Sequence, residues 1–240
     1  GDVGPIREYF PSAPLVGMSA TVTDMANFMI AHLHEGEYEG ARILQPETAR
    51  MMQRQQFTHD PRLTGVTYGF VEWDRNDQRM LWHGGSTALF QSIILLLPEH
   101  DVGLFVIYNK KSESEAGREL RQDFLDRYYP AESEPPQPMP DHETRVDLFT
   151  GTYRESRWAH TTVDKLIYAF ARTHSIEANP DGSLTLLGES YVEVSPSFFQ
   201  GVTGEGHIAF RHDDTGEVTC AYYDFDPHEA LIKLPWYRYP

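Results

Sequence analysis

Trp82-His83-Gly84-Gly85-Ser86 sets an imidazole, two glycines and a hydroxyl side by side between two strand-like runs, 79–82 and 89–97. A polar histidine followed by glycines, at the end of one strand and the mouth of the next, is a place where a sheet edge lines a cleft. Glycines allow a second backbone or a substrate to approach closely. Imidazole titrates near neutral pH, so proton transfer and carboxylate orientation are both open to it. Spacing alone favours a plainer arrangement, in which His83 caps a strand and the glycines make a turn.

Other groups carry weaker chemical signals. Gly84-Gly85-Ser86-Thr87-Ala88 is a near miss to Gly-x-Ser-x-Gly. A nucleophile elbow needs strand, turn and helix, and here a strand follows. His32-Leu33-His34 with Glu35 hints at metal. However, His-x-His on a helix points the rings to different sides, so these read as solvated polar residues and no metal site is expected. Tyr153, Trp158 and Tyr168 could line a barrel pocket, with core packing the commoner explanation. Glu113, Glu115, Glu132 and Glu134 read as solvated surface. Cys220 is the single cysteine, so no disulfide forms within the chain, and it reads as a small buried apolar side chain. No cofactor motif is present.

The elements that must hold these groups follow from periodicity. Gly4, Pro5, Pro11, Pro14 and Gly17 make 1–18 a loop. Thr21 and Asp24 have capping-box spacing and open a helix. Met25, Phe28, Met29 and Leu33 follow at helical intervals, and Gly36 stops the run. Pro46 starts a second helix reaching about Gln55. From Val66 to Trp73 the residues are β-formers. Arg75-Asn76-Asp77-Gln78 is a turn, and 79–83 the returning strand. Runs 88–97 and 102–109, joined by Pro98-Glu99-His100-Asp101, predict an antiparallel hairpin. Residues 113–128 read as a helix with Leu120, Phe124, Leu125 and Tyr128 on one side.

Five prolines between Pro130 and Pro140 predict a stiff linker and a domain boundary. Beyond it the pattern is all-β. Runs at 149–154, 175–178, 183–187, 191–194, 198–202, 207–211, 217–223 and 230–234 are separated by turns such as Asn179-Pro180-Asp181-Gly182 and Asp213-Asp214-Thr215-Gly216. About eight short strands at near-regular spacing suggest a small closed barrel or sandwich. The fold class is α+β, with units at 1–129 and 146–240 and a linker at 130–145.

Composition bounds the function. The 240 residues are 40% hydrophobic and 12% aromatic, a globular composition. A net charge of −16 argues against nucleic acid or an anionic membrane as partner. Lysine is confined to Lys110, Lys111, Lys165 and Lys233. An acidic, lysine-poor surface suits a salt-rich habitat and also occurs in ordinary soluble proteins. No run approaches the ~20 apolar residues of a membrane helix, and no signal peptide opens the chain. Gly1 in place of an initiator Met suggests a processed, cut or tagged start.

The order of motifs in 14–129 resembles the C-terminal part of the serine β-lactamase-like family, which includes class C β-lactamases, penicillin-binding DD-peptidases, D-aminopeptidases and esterases. Pro14-Leu15-Val16-Gly17 matches its Pro-x-Gly-Gly-like loop, and 20–28 its Ser-Thr-Ala-x-Asp-Met-Ala helix start. Leu44-Gln45-Pro46-Glu47-Thr48 matches its Leu-Ser-Pro-Glu-Thr segment. Tyr68-Gly69-Phe70 matches its Tyr-Gly strand, and His83-Gly84-Gly85 its third signature, Lys-Thr-Gly or His-x-Gly. Residues 148–240, opening on Phe149-x-Gly151-x-Tyr153-Arg154, resemble the lipocalin-like β-domain appended to some members.

The resemblance implies acyl transfer on an amide, β-lactam or ester bond of a small-molecule or peptide substrate. In it His83 borders the acyl site, Gly84 and Gly85 leave room for substrate backbone, and the Ser86 N–H is one of two oxyanion donors. The family nucleophile in Ser-x-x-Lys does not occur in this chain, and Tyr108-Asn109-Lys110 stands in the wrong place for its Tyr-x-Asn. The expectation is a C-terminal part of a longer hydrolase, inactive alone toward chromogenic cephalosporins and p-nitrophenyl esters. Its open sheet edge would favour homo-oligomers or association with the missing N-terminal part. Periplasmic, extracytoplasmic and cytoplasmic locations all stay open. The alternative is a non-catalytic protein that uses the β-barrel as a ligand or partner module.

Overall fold

The computed structural model describes residues 17–87, 90–109, 115–132, 135–157, 161–162 and 172–235. The expected loop over 1–16, and Ala88, Leu89, Lys110, Lys111, Glu113, Glu134, Trp158, Lys165 and Tyr168, lie outside these residues. Two compact units form, and both are discontinuous in sequence. The first takes the described residues of Gly1–Arg54, Tyr68–Phe70 and Gln78–Pro130; the second takes those of Gln55–Thr67, Val71–Asp77 and Ala131–Pro240.

In the first unit, helix α1 spans Val22–Leu33. Its start is the expected capping box. Asp24 N–H donates to Thr21 Oγ1 at 3.1 Å, and Thr21 N–H donates to Asp24 Oδ2 at 2.9 Å. These satisfy two backbone donors that the first helical turn leaves unpaired. A two-stranded hairpin, β1 Glu37–Tyr38 and β2 Ala41–Arg42, leads to helix α2, Pro46–Gln53, with proline at its first turn. The strand expected over 66–73 begins only at Val71, as β3 (Val71–Arg75) of the second unit. Gly69 at φ +88° interrupts it, and the Tyr68 N–H turns instead to the Met52 carbonyl at 3.1 Å.

Strands β4 (Gln78–Ser86), β5 (Gln91–Leu97) and β6 (Val102–Tyr108) form an antiparallel meander. Period-2 alternation puts Leu81, Ile94, Leu96 and Phe105 on one face. There they pack against Met25, Ala26, Met29 and Leu33 of α1. Close approach is possible because Gly103 faces α1, where a Cβ would stand 2.9 Å from Met29 Sδ. Helix α3, Glu115–Tyr128, covers the other face. Its Gly117 lies where a Cβ would meet Ile93 Cδ1 at 2.7 Å, and its Arg121 guanidinium sits 4.9 Å over the Trp82 ring. Of the four apolar residues expected on one side of α3, only Leu125 is fully buried.

The second unit is built on a closed barrel. Helix α4 (His142–Arg145) and a short 3-10 turn lead into β7 (Gly151–Glu155), β8 (Thr173–Ala178), β9 (Leu184–Leu186) and β10 (Glu189–Ser195). Strands β11 (Phe198–Gly201), β12 (His207–His212), β13 (Val218–Tyr223) and β14 (Leu231–Lys233) follow. Each pairs antiparallel with its neighbour in sequence, and β14 closes on β7. The eight strands expected from turn spacing are thus the eight staves of a barrel. Closure removes the unpaired edges that an open sheet would expose.

Side chains fill the barrel. Phe149 stands in edge or tilted contact with Phe199 at 4.9 Å and Phe210 at 4.7 Å, amid Tyr153, Ile176, Leu184, Ile208 and Tyr223. Tyr153 is fully buried and donates its hydroxyl to the Phe149 carbonyl at 2.7 Å, so it is a packed core residue. Residues 55–67 cover part of the outer wall. Leu63 packs on Phe198, Ala209, Cys220 and Tyr222, His59 stacks on Tyr222 at 4.3 Å, and Thr64 Oγ1 donates to the Asp224 carbonyl at 2.9 Å. Cys220 is buried here, as its composition-based reading expected.

Candidate functional site

Strand β4 carries the residues whose types suggested chemistry. Leu81 is buried in the core under α1. Two residues on, His83 occupies the same face, and from there to Ser86 the strand is exposed. His83 opens onto a cavity of about 360 Å³ lined by Met25, Phe28 and His32 of α1, Met52, the Tyr68-Gly69-Phe70 turn, and Ile94. The walls are mostly apolar, and His32, His83 and Tyr68 are the lining residues whose side chains carry polar groups. Such a composition buries an apolar substituent while a few polar groups fix its orientation.

His32 differs from its sequence reading. Expected among solvated residues, it is 3% exposed. Its ring meets Phe28 edge-on at 4.5 Å and Phe70 at 5.3 Å, and its carbonyl accepts Gln53 Nε2–H at 2.6 Å. Burial holds its pKa below the ordinary histidine range, because a charged imidazole loses its hydration there. Its Nδ1 is buried with no hydrogen-bond partner among the described residues. The signal was present in the sequence: His32 lies seven residues after Met25 and three after Met29, on the apolar stripe of α1. His34 points to water and pairs with Asp101 at 3.3 Å, so the two rings do diverge.

The end of β4 has a defined polarity. Thr87 N–H donates to the Phe90 carbonyl at 2.8 Å and closes the β4–β5 turn. Antiparallel pairs alternate between bonded and non-bonded. Counting back, His83–Ile94 and Gly85–Ser92 are bonded pairs, while Gly84–Ile93 and Ser86–Gln91 are not. Gly84 and Ser86 therefore direct their N–H and C=O groups away from β5. The glycines keep this stretch unshaded: a Cβ on Gly84 would meet the Trp82 ring at 3.2 Å, and one on Gly85 the Ser92 Oγ at 2.9 Å. Ser86 is followed by strand β5, without the helix of a nucleophile elbow. Its side chain projects from the opposite face to His83. Among the described residues no group of three or more His, Cys, Asp or Glu could hold a metal ion, and no helix is long and apolar enough to cross a membrane.

The Beta-lactamase family model matches residues 2–126, more than half of the chain. The chain belongs to the Beta-lactamase family. Solved structures similar to this β-lactamase-family chain include "Crystal structure of SurE with D-Leu", at 14% identity and a TM-score of 0.48. That match covers 86% of this chain and 49% of the other. Another is "Structure of the octameric penicillin-binding protein homologue from Pyrococcus abyssi", at 18% identity, TM-score 0.40, and 89% and 47% coverage. The chain thus spans about half the length of these structures. No curated protein matches it.

Proposed function

We propose that this β-lactamase-family chain supplies one wall of an acyl-transfer cleft acting on an amide, β-lactam or ester bond of a small-molecule or peptide substrate. The observation that carries the reading is the exposed end of β4. His83 opens into the apolar cavity, two glycines lie beside it, and the Ser86 N–H points away from β5. In this reading His83 moves a proton or orients a substrate carboxylate, and Gly84 and Gly85 floor the cleft. Ser86 N–H donates to the oxygen that gains negative charge as the acyl carbon becomes tetrahedral. The cavity receives an apolar substituent of the substrate, with the His32 imidazole as a neutral hydrogen-bonding group on its wall.

The reading requires a serine nucleophile and its lysine from outside these 240 residues, since Ser-x-x-Lys does not occur in them. The 240-residue chain alone is expected not to turn over a chromogenic cephalosporin, and turnover would refute this. In a polypeptide or complex that joins it to a Ser-x-x-Lys segment, His83→Ala should lower kcat by about 100-fold, the scale of a positioned acid or base. An unchanged kcat would remove His83 from the mechanism. The alternative role of the barrel as a ligand cup has less support, because its interior is occupied by Phe149, Tyr153, Phe199 and Phe210.

A further inference from the structure

A serine–histidine pair lies on the barrel. Ser197 sits in the two-residue turn between β10 and β11, where Ser195 pairs with Phe198. Its Oγ is 2.7 Å from His212 Nε2 at the end of β12, and His212 Nδ1 is 3.0 Å from the Gly216 carbonyl oxygen. A carbonyl oxygen only accepts, so Nδ1 carries the proton. Neutral His212 then offers the Nε2 lone pair to Ser197, and Ser197 O–H donates to it. This is the polarity that a general base needs toward a hydroxyl nucleophile.

The turn is held in place from several sides. Ser197 adopts φ +58°, a left-handed conformation that side-chain-bearing residues rarely take. Its N–H donates to Glu193 Oε1 at 2.8 Å, and its carbonyl accepts Phe210 N–H at 2.8 Å. Glu193 is 1% exposed, and the same Oε1 accepts from Arg145 Nη2 at 2.9 Å. Arg145 Nε and Glu193 Oε2 are buried with no hydrogen-bond partner among the described residues. The Arg145–Glu193 ion pair therefore braces the turn through the Ser197 N–H. Ser197 and His212 are both half-buried, and neither is sealed in the barrel core.

We propose that Ser197 is a base-activated nucleophile that accepts one acyl group from a small activated ester. Ser197 Oγ forms the new C–O bond as its proton passes to His212 Nε2. The ester C–O bond then breaks, and the leaving alcohol takes the proton from His212, which leaves an acyl-serine and a neutral imidazole. A fluorophosphonate tests the same step: the O–P bond forms, fluoride leaves, and His212 receives the proton.

The experiment treats the full chain with a fluorophosphonate and maps the adduct by peptide mass spectrometry. The adduct should lie on Ser197, distinguished from Ser195 by fragmentation. It should form at least about tenfold faster in the native chain than in the urea-unfolded chain, and H212Q should remove that advantage. Peptide maps without an adduct on Ser197 would overturn the proposal, as would equal rates in native and unfolded chains. So would an H212Q chain, native by circular dichroism, that labels as fast as the wild type. If H212Q does not fold, the native-to-unfolded rate ratio alone decides.

Discussion

Phe149→Ala tests whether the barrel is a packed core or a cup. Phe149 is fully buried and reaches the barrel axis from the 3-10 turn before β7. Removing the ring forfeits about 1.5–3 kcal/mol of apolar burial. It also ends the contacts with Phe199 and Phe210, aromatic pairs of a kind worth about 0.5–1.5 kcal/mol each. The closed ladder resists collapse around the gap, so the total should fall at about 3–5 kcal/mol. With a urea slope of about 1–3 kcal/mol/M, the unfolding midpoint should drop by about 1 M or more. Amide hydrogen exchange in β11, β12 and β13 should quicken in parallel, which assigns the loss to the barrel. Phe149→Leu, which keeps most of the buried area, should lose less. A loss under about 1 kcal/mol for the alanine variant, or unchanged exchange in these strands, would refute a barrel held by its aromatic centre.

Two further outcomes follow from single groups. The His32 pKa is depressed in the folded chain, so the unfolded chain binds the extra proton first. The stability this contributes is complete above the unfolded value of about 6.5 and drains away as pH falls below it. His32→Leu should flatten the slope of stability against pH below about 6.5 relative to wild type, measured by urea titration at successive pH values; an identical slope would place the titration elsewhere. Tyr153→Phe leaves the buried Phe149 carbonyl without its donor and should cost about 1–3 kcal/mol in the same assay, whereas a neutral result would mean that another donor replaces the hydroxyl.

The sequence was most legible where one local signal sufficed. Thr21 and Asp24 marked the start of α1 because their hydrogen bonds span three residues. The barrel strands were visible because Asn179-Pro180-Asp181-Gly182 and Asp213-Asp214-Thr215-Gly216 force turns, with Gly182 at φ +78° and Gly216 at φ +87°. Residues 66–70 were misread because β-propensity is a weak prior and a single glycine, Gly69, redirected the backbone. The burial of His32 is written not in its i, i+2 relation to His34 but in its i−4 and i−7 neighbours Phe28 and Met25, which share its face. The direction of the Ser86 N–H was not legible at all. It depends on which pair closes the β4–β5 turn, and a shift of one residue would reverse it. The Ser197–His212 pair was hidden for a similar reason, since barrel register alone brings the two together across 15 residues.

The hydrogen bond from Thr64 to Asp224 joins positions 160 residues apart in sequence. During synthesis, Leu63 and Thr64 leave the ribosome long before the strands they cover exist. The second unit therefore cannot complete its outer layer until residues as far as Asp224 have emerged, and the 55–67 segment waits with Leu63 exposed. Such a long loop closure slows folding more than it weakens the final structure. The same arrangement governs dissection. A piece cut to the barrel strands alone would leave Phe198, Cys220 and Tyr222 without the residues that cover them, and would present that wall to other chains as a sticky surface.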